Sequence, residues 1–332
     1  MACMPTSATV VVTYGASDEI RRAIAGALAS AAQVVFLTDL SAEARGQALE
    51  VADAMLVWNP SVELHPEEFP LLRRMGLIQL VSAGAEHVPF DRLPAGVPVA
   101  SNVGAYAGPM AEHVLAMALA LAKRLPQQHA KLARGEFDQA TLTKAIRGSV
   151  VGILGFGGIG HACSDLFEAL GARIHALNRS GRTDRSVEFA GTLEDLDRVL
   201  AAADVLVISI PLTRATRGLI GRRELELMKP DAILVNVARG AIIDEEALYE
   251  HLRDHPEFSA GIEAWWDEPH EGEPFRTAFP FFDLPNLLGS PHNSALTPGS
   301  LVEASSAAAA NVARHLRSEP IAGLVRTEDY VG

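Results

Sequence analysis

Three side chains with complementary chemistry stand just beyond predicted strands. Arg239, Glu268 and His292 each come within a few residues of the end of an apolar run. The planar guanidinium fork of an arginine suits a carboxylate. A carboxylate beside a histidine raises the pKa of the imidazole, which can then carry and donate a proton near neutral pH. These residue types at strand ends favour a site that holds an anion and transfers a proton.

Each of the three residues also has an ordinary structural interpretation. A lone histidine is more often structural, and a single arginine often pairs with a surface acid. The argument for chemistry therefore depends on all three residues falling at strand ends, where the ligands of open α/β sheets bind.

A glycine-rich turn between a predicted strand and a predicted helix indicates a dinucleotide site. Residues 150–154 are typical of a buried strand, and a helical pattern and a second strand at 172–177 follow. Between strand and helix, Gly155, Gly157 and Gly160 have the G-x-G-x-x-G spacing. That spacing allows a tight turn, close approach of a pyrophosphate and close packing of helix on strand, at a helix N-terminus that favours anions. The loop alone is weak evidence, but the complete β-α-β pattern predicts dinucleotide binding; the alternative is a doubly wound domain with an empty turn.

The segment after the second strand bears on the choice of dinucleotide. An acidic residue is expected roughly 20 positions past the loop, where it takes the ribose 2′-hydroxyl. This chain instead has Asn178, Arg179 and Ser180, with Arg182 nearby. An arginine beside a hydroxyl would hold a 2′-phosphate through charge-assisted hydrogen bonds. The segment favours NADP(H), with NAD(H) as the alternative; Arg179 could instead be a solvated arginine that stacks on adenine.

Strands alternate with helical patterns along the chain, which is typical of parallel α/β sheets. The predicted strands cover residues 9–13, 33–37, 53–58, 77–81, 97–100, 150–154, 172–177, 204–210, 232–237, 258–264 and 287–290. We therefore predict an α/β protein with two Rossmann-like, doubly wound parallel-sheet domains and a cleft between them.

Two turns in the first half of the chain are placed to line a site. Trp58 and Asn59 follow the third strand, and Ser82–Gly84 follow the fourth. Ligands in open α/β sheets bind outside the carboxyl ends of strands. On position alone, however, these residues are better explained as ordinary turn residues.

Two helical patterns set the predicted domain boundaries. Residues 108–125 form a helix that is apolar nearly all round, which suits a link between the halves or a subunit contact. Thr297 and Pro298 suit the N-cap and first position of a last helix that returns to the first domain. We predict a discontinuous substrate-binding domain and a dinucleotide-binding domain, with bounds 1–101 plus 298–332 and 102–297.

The composition is that of a globular protein, with 48% hydrophobic and 21% charged residues among 332. A net charge of −13 without a Lys/Arg-rich run argues against non-specific nucleic-acid binding. The longest apolar run is far shorter than a membrane span, and the N-terminus lacks a signal-peptide pattern. Cys3 and Cys163 are the two cysteines, which we expect to be a surface thiol and a core residue. We expect a cytoplasmic protein without membrane, nucleic-acid or metal partners.

Eight short stretches, in order over nearly the whole chain, carry a family resemblance. They are 82–84 (Ser-Ala-Gly), 111–113 (Ala-Glu-His), the glycine loop at 152–160, 211–213 (Pro-Leu-Thr), 228–230 (Met-Lys-Pro), 236–240 (Asn-Val-Ala-Arg-Gly), 268–269 (Glu-Pro) and 290–292 (Ser-Pro-His). On these stretches the chain resembles the D-isomer-specific 2-hydroxyacid dehydrogenase family, in particular its glyoxylate and hydroxypyruvate reductases. Jointly they are far more specific than the glycine loop.

The resemblance implies a homodimer that reversibly reduces a small 2-keto acid to a D-2-hydroxy acid with NAD(P)H. Arg239 would hold the carboxylate and keto oxygen of the substrate, and His292 with Glu268 would form the acid/base pair. Backbone N–H groups of Ala83 and Gly84 would hold the carboxylate. The substrate-binding residues expected from the resemblance are Trp58, Ser82, Ala83, Gly84, Arg239 and His292.

The same resemblance places a larger set of residues around the dinucleotide. They are Gly155, Phe156, Gly157, Gly158, Ile159, Gly160, Asn178, Arg179, Ser180, Pro211, Thr216, Val237, Ala238, Arg239, Glu263 and His292. Two positions depart from the family pattern: Glu263 replaces the usual Asp beside the nicotinamide, and Trp265 replaces the usual Phe, with Trp266 next to it. Two tryptophans would narrow the cleft, favour an apolar substrate side chain, or pack the domain hinge.

Other functions remain open on the sequence. A formate dehydrogenase would usually carry glutamine in place of Glu268, whereas the three residues by themselves also suit a phosphite dehydrogenase. A rival from another class is a non-catalytic, dinucleotide-sensing binding protein, like the corepressor branch of the family. The chain shows no low-complexity extension and retains Arg239, Glu268 and His292, which favours an enzyme.

Overall fold

Short apolar runs separated by helical stretches fold into two parallel sheets, each in its own unit. The computed structural model describes residues 8–269 and 272–331. One unit comprises residues up to 105 together with those from 297 onward, and the other comprises residues 106–296. Among the described residues, no helix has both the length and the apolar character needed to cross a membrane.

Helices and strands alternate through both units. In chain order they are β1 (Ala8–Val12), α1 (Asp18–Leu28), β2 (Ala32–Phe36), α2 (Ala42–Val51), β3 (Ala54–Val57), α3 (Pro60–Glu63), β4 (Leu77–Leu80), β5 (Val99–Ala100), α4 (Ala107–Ala122), α5 (Leu125–Ala133), β6 (Val150–Leu154), α6 (Gly158–Ala169), β7 (Arg173–Leu177), β8 (Phe189–Gly191), α7 (Leu196–Ala202), β9 (Val205–Ile208), α8 (Arg222–Leu227), β10 (Ile233–Asn236), α9 (Glu245–Asp254), β11 (Ser259–Ile262), β12 (Leu287–Gly289) and α10 (Ser300–Leu316). The predicted α/β class with two parallel sheets is confirmed.

The first unit contains a five-stranded sheet in the order β2-β1-β3-β4-β5, with all strand pairs parallel. This is the order of flavodoxin-like folds. Helix α10 packs against α1, and the buried side chain of Asn311 on α10 donates a 2.7 Å hydrogen bond to Gln79 on β4. Helix α10 therefore belongs to the core of this unit, which is discontinuous in the sequence.

The second unit contains a seven-stranded parallel sheet in the order β12-β11-β10-β9-β6-β7-β8. Counted from β6, this is the order of dinucleotide-binding sheets, extended by one strand. The central strands β6, β9 and β10 are buried along their whole length, as expected for a parallel sheet covered on both faces. The strand order reverses between β6 and β9, and ligands of such sheets bind outside the carboxyl ends at that point.

Two helix boundaries differ from the prediction. Helix α4 ends at Ala122 rather than at Leu125, because Arg124 takes a left-handed conformation (φ 50°). The new helix α5 begins at Leu125, with Pro126 in its first turn, where a missing N–H costs no helical hydrogen bond. The last helix begins at Ser300 behind Gly299, whose φ of 84° interrupts the helical path, so Thr297 is not its N-cap. The strand β8 was not predicted.

Cys163 lies on the buried face of α6, as predicted for a core residue. Burial raises the pKa of its thiol to about 12. Such a thiol stays protonated near neutral pH and acts as a small apolar side chain. Cys3 lies outside the described residues.

Candidate active site

The three residues at strand ends lie together on the second unit. Strands β10, β11 and β12 are neighbours in the sheet, and Arg239, Glu268 and His292 follow their carboxyl ends in that order. The carboxyl of Glu268 contacts the ring of His292, and the positive charge of Arg239 lies close enough to act on both groups. The topology therefore assembles the set that the sequence singled out.

His292 and Glu268 form a close ion pair when the imidazole is protonated. Both carboxyl oxygens of Glu268 lie 2.8 Å from Nδ1 of His292. This hydrogen bond raises the pKa of His292 above its usual value, against the opposing effect of burial. Burial tends to raise the pKa of Glu268, but hydrogen bonds from His292 and from the backbone of Trp265 outweigh it and lower the pKa. The side chain of His292 remains 35% exposed, so the ring is open to a proton donor and to a ligand.

The backbone of His292 is held in a conformation that residues with a side chain rarely adopt. Its φ is 49°, in the left-handed region. Its backbone N–H donates to the carbonyl of Glu263 at 3.0 Å, and the hydroxyl of Ser290 donates to the side chain of Asn293 at 3.0 Å. Strain at a single residue persists only where its surroundings over-determine it, as these bonds do here.

Asn236 builds the turn that presents Arg239. Its side chain is fully buried; it donates to the carbonyl of Arg239 at 2.9 Å and accepts the backbone N–H of Ala238 at 3.0 Å. Arg239 in turn donates to the carbonyl of Ala238 at 2.6 Å and is partly exposed. Val237 and Ala238 are buried where β10 ends. The guanidinium is thus anchored beside the sheet edge by hydrogen bonds within its own turn.

The glycine loop has the close contacts that its spacing predicts. At Gly155 φ is 96°, and a Cβ there would lie 2.7 Å from the backbone nitrogen of Ile210. A Cβ at Gly160 would lie 2.3 Å from the carbonyl oxygen of Gly155, so α6 packs on β6 only because no side chain intervenes. A Cβ at Gly157 would meet no described atom within 4 Å. Backbone atoms therefore occupy the space beside Gly155 and Gly160. The space beside Gly157 is open, at the N-terminus of α6, where a phosphate would fit.

Glu263 has one carboxyl oxygen bonded and one without a partner. The side chain is fully buried, and Oε1 accepts the backbone N–H of Ser294 at 2.8 Å. Among the described residues, no group donates to Oε2. A buried acceptor without a donor is costly, so its geometry fits a ligand that donates an N–H. Despite the extra methylene relative to aspartate, Glu263 keeps such an acceptor available.

The segment after β7 forms a tight polar turn around Asn178. Its side-chain oxygen accepts from the backbone N–H and the hydroxyl of Ser180, each at 3.0 Å, and its amide donates to the carbonyl of Arg182 at 2.8 Å. Asn178 is therefore engaged in shaping the turn. Arg179 and Ser180 are exposed on it.

The segment after β9 is closed by Thr216. Its buried hydroxyl donates to the carbonyl of Pro211 at 2.7 Å and accepts the backbone N–H of Thr213 at 2.8 Å. The hydroxyl of Ser209 donates to the carbonyl of Gly155 at 2.9 Å and so ties this segment to the glycine loop. Thr216 shapes the backbone next to the switch point of the sheet.

In the first unit, Trp58 lies close to the loop after β4. The carbonyl of Trp58 contacts Nε2 of His87 at 2.8 Å, and its ring meets Tyr14 edge-on with the ring centres 6.3 Å apart. The hydroxyl of Ser82 donates to the carbonyl of Gly84 at 3.0 Å. The fold therefore brings Trp58 and the loop 82–84 to one edge of this sheet, because β3 and β4 are neighbours.

Residues 115–294, more than half of the chain, match the family model of the D-isomer specific 2-hydroxyacid dehydrogenase NAD binding domain. The chain belongs to the D-isomer specific 2-hydroxyacid dehydrogenase family. The predicted family and the predicted enzyme class, an oxidoreductase, are confirmed.

Named relatives and a solved structure agree with this membership. A glyoxylate reductase of Aeropyrum pernix is 30% identical over 264 residues, 77% of each chain. A hydroxypyruvate reductase of Thermotoga maritima is 33% identical over 204 residues, 61% of this chain and 64% of the relative. A D-isomer specific 2-hydroxyacid dehydrogenase from Xanthobacter autotrophicus Py2, solved with NADPH and MES, has a TM-score of 0.77 and 25% identity, with 98% of this chain and 100% of that chain covered. The chain spans about half the length of the D-3-phosphoglycerate dehydrogenases that it also matches.

The contacts that hold the three residues in place could not be predicted from the sequence of this dehydrogenase. The indole N–H of Trp265 donates to the carbonyl of Ser290 at 2.9 Å, and the backbone carbonyl of Glu263 accepts the N–H of His292. Both join segments that are more than 20 residues apart in the chain. The departures at positions 263 and 265 were visible signals, but the partners of these side chains were not.

Proposed function

We propose that this dehydrogenase reduces a small 2-keto acid to a D-2-hydroxy acid, with NADPH favoured as the cofactor. The observation that carries the proposal is the hydrogen-bonded pair of His292 and Glu268 beside Arg239, in the same unit as the glycine loop. Family membership supports the reaction class, and relatives named glyoxylate reductase and hydroxypyruvate reductase support a 2-keto acid as substrate.

In the proposed reaction, each of the three residues has a separate role. The chemistry that a nicotinamide dinucleotide would supply when bound is hydride transfer to the 2-keto carbon. Arg239 binds the carboxylate and the keto oxygen, and it stabilises the negative charge that develops on that oxygen. His292, protonated because Glu268 raises its pKa, delivers the proton to the same oxygen. Glu268 keeps the imidazole oriented and charged until the proton is transferred.

The residues that would hold the dinucleotide are those of the glycine loop, the turn after β7, the segment 211–216 and the end of β10. The open approach at Gly157 supports a pyrophosphate there. The unpartnered Oε2 of Glu263 supports a hydrogen bond from the nicotinamide carboxamide. The exposed position of Arg179 on the Asn178 turn supports a contact with a ribose 2′-phosphate, and hence NADPH.

For the substrate, the first unit would supply backbone N–H groups and an aromatic wall. Ala83 and Gly84 follow β4, and Trp58 follows the neighbouring β3. The relatives named glyoxylate reductase and hydroxypyruvate reductase make glyoxylate and hydroxypyruvate the first substrates to test. A larger keto acid such as phenylpyruvate tests whether Trp58 favours an apolar side chain.

Two further proposals concern the state of the protein. We propose a homodimer, which is supported by exposed apolar side chains on α5 and on the segment after it. We also propose a cytoplasmic location, which is supported by the small number of cysteines. The exposed residues are Leu125, Leu132, Phe137 and Leu142.

Replacing His292 tests the function directly. In His292→Ala, we expect turnover of the best 2-keto acid to fall by about a hundred- to ten-thousandfold, since the proton donor is lost. The Kd for NADPH should stay within about threefold. The loss of the near-ultraviolet absorbance of NADPH measures turnover, because only the reduced nicotinamide absorbs there. Fluorescence titration measures the binding of NADPH.

The matched control is His65→Ala, which removes an exposed histidine of the first unit and should leave both quantities unchanged. Turnover that survives in His292→Ala contradicts the assignment of the acid. Tight NADPH binding without turnover of any keto acid in the natural protein would instead favour the sensor function.

A further inference from the structure

Trp265 is bonded to two of the segments that carry the proposed catalytic residues. Its backbone N–H donates to Oε1 of Glu268 at 2.9 Å. Its indole N–H donates to the carbonyl of Ser290 at 2.9 Å, two residues before His292. One residue thus holds both partners of the pair formed by His292 and Glu268.

Trp265 also has no space to move relative to the turn of Arg239 or to the end of β12. A Cβ on Gly240 would lie 2.3 Å from the carbonyl carbon of Trp265, so the turn after Arg239 packs directly on this backbone. A Cβ on Gly289 would lie 2.9 Å from Cζ2 of the indole ring. All three segments of the site are therefore in van der Waals or hydrogen-bond contact with one residue.

The ring itself is fixed by aromatic neighbours. Trp265 is only 7% exposed. Its ring centre lies 5.0 Å from that of Phe275 and 5.5 Å from that of Phe282. A buried ring packed against these aromatic neighbours directs its N–H at one acceptor, because rotating it would displace them.

We propose that Trp265 is a positioning residue that sets the geometry of His292 against Glu268. Its role in catalysis rests on the function proposed above, whereas its effect on His292 does not. A phenyl ring at this position would supply aromatic packing but no N–H. The hydrogen bond to Ser290 is therefore a contribution of the indole that is separate from aromatic packing.

Trp266 provides a matched control in the next position. Its indole N–H also donates to a backbone carbonyl, that of Ile243 at 2.7 Å, and its ring stacks on Phe281 with the centres 5.4 Å apart. Trp266 has the same side chain and the same type of bond, but its acceptor lies on none of the segments of Glu268 and His292. A general loss of packing would affect both tryptophans alike.

The first experiment compares Trp265→Phe with Trp266→Phe. Trp265→Phe replaces the indole by a smaller phenyl ring and removes its N–H, so we expect kcat to fall by about three- to tenfold, with KM and the Kd of NADPH within about twofold. Trp266→Phe should keep kcat within about twofold. A second variant, Gly289→Ala, keeps the indole N–H but places a methyl group against the ring. We expect it to lower kcat, as Trp265→Phe does.

The second experiment does not depend on turnover. The pKa of His292 is followed by NMR titration of the ring C–H signal in histidine-labelled protein, assigned by its loss in His292→Asn. The charged groups that face this ring are Glu268, Glu263 and Arg239. When the segment of His292 is held less firmly, the bond to Glu268 weakens, so we expect a lower pKa in Trp265→Phe and in Gly289→Ala than in the natural protein and in Trp266→Phe.

These readouts separate the two proposals. A natural protein that turns over no 2-keto acid contradicts the proposed function, and the NMR comparison still decides the positioning role. An unchanged pKa of His292 in both Trp265→Phe and Gly289→Ala overturns the positioning role, as does an equal change in Trp266→Phe. Thermal unfolding of each variant without cofactor shows that the compared proteins are folded.

Discussion

His292 combines an unfavourable backbone with a favourable ring environment. Its left-handed φ of 49° costs roughly 1–3 kcal/mol, offset by the bond from its N–H to Glu263 and by the packing of its segment. Its ring gains a carboxyl partner that raises its pKa. The stabilisation from this raised pKa is fully present below the ordinary histidine value and is lost as pH rises through the value in the folded state. The proposed proton donation by His292 should likewise be lost as pH rises through the pKa of the folded state.

The pH dependence of 2-keto acid reduction should reveal the titration of the pair formed by His292 and Glu268. In the natural protein, kcat/KM for reduction should fall as pH rises through the raised pKa of His292, because the deprotonated ring has no proton to give. In Glu268→Gln the charge that raises this pKa is removed, so the fall should occur at lower pH, with a loss of about ten- to hundredfold near neutral pH. Initial rates across the neutral and alkaline range measure both effects.

Asp267→Asn is the matched control for Glu268→Gln. It removes a negative charge from the same exposed loop, and Asp267 is not among the groups that shift the pKa of His292. Its profile should coincide with that of the natural protein. A Glu268→Gln profile that keeps the natural midpoint would show that another group controls the proton.

The proposed preference for NADPH depends on a single residue, Arg179. In Arg179→Ala, the Kd for NADPH should rise by about ten- to hundredfold, because charge-assisted bonds to a 2′-phosphate are lost, while the Kd for NADH changes by less than about threefold. Arg173→Ala removes an exposed arginine at the other end of β7 and should affect neither. Equal weakening of both dinucleotides would refute the role of Arg179 in selecting the phosphate.

At the scale of elements, the turn from β6 into α6 depends on glycines for two different reasons. Gly160 and Gly155 are required by the protein itself, since any side chain would strike backbone atoms. Gly157 is free of contacts within 4 Å among the described residues, so its lack of a side chain benefits only a ligand. The same motif therefore contains residues for folding and a residue for binding.

Alanine substitutions should separate these two requirements. Gly157→Ala should leave the Tm of the protein without cofactor within about 2 °C of the natural value, yet weaken dinucleotide binding by at least about tenfold, because the methyl group occupies the approach of the pyrophosphate. Gly160→Ala should lower the Tm as well, by several degrees (~4 °C or more), because α6 must move away from Gly155. Calorimetry and fluorescence titration make the comparison. Normal dinucleotide affinity in Gly157→Ala would place the phosphates elsewhere.

At the scale of the whole molecule, the residues proposed for the chemistry and those proposed for substrate contacts belong to different units. The second unit contains Arg239, Glu268, His292 and the glycine loop, and the first contains Trp58 and the loop 82–84. The second unit also exposes large apolar side chains between α5 and β6, including Phe137 at 79% and Leu142 at 88%. Apolar side chains exposed to this degree and grouped along one segment are typical of a surface that a partner covers.

The proposed homodimer can be tested by substitutions in this exposed apolar segment. The double variant Phe137→Asp and Leu142→Asp should shift the mass measured by light scattering from dimer towards monomer, since each charge would be buried at the interface. Val62→Asp places a charge on an equally exposed valine of the first unit, at 79% exposure, and should not change the mass. A natural protein that is monomeric at all concentrations would contradict the proposed dimer.

Sequence patterns alone were enough to predict the fold class and the dinucleotide unit, and to select Arg239, Glu268 and His292 as candidates. These are local properties: a buried parallel strand needs a short apolar run, a pyrophosphate turn needs glycines at fixed spacing, and the carboxyl ends of parallel strands share one edge. Boundaries were less well determined, as at Arg124 and Gly299, because single backbone angles end a helix where the side-chain pattern continues.

The contacts that hold the candidate site depend on tertiary packing and could not be predicted from sequence patterns. The order of β10, β11 and β12 places Glu268 against His292, and the bonds from Glu263 and Trp265 to the segment of His292 join residues more than 20 positions apart. No periodicity or spacing records such partners, because they depend on which strands become neighbours and on which buried donors find acceptors once the sheet is packed.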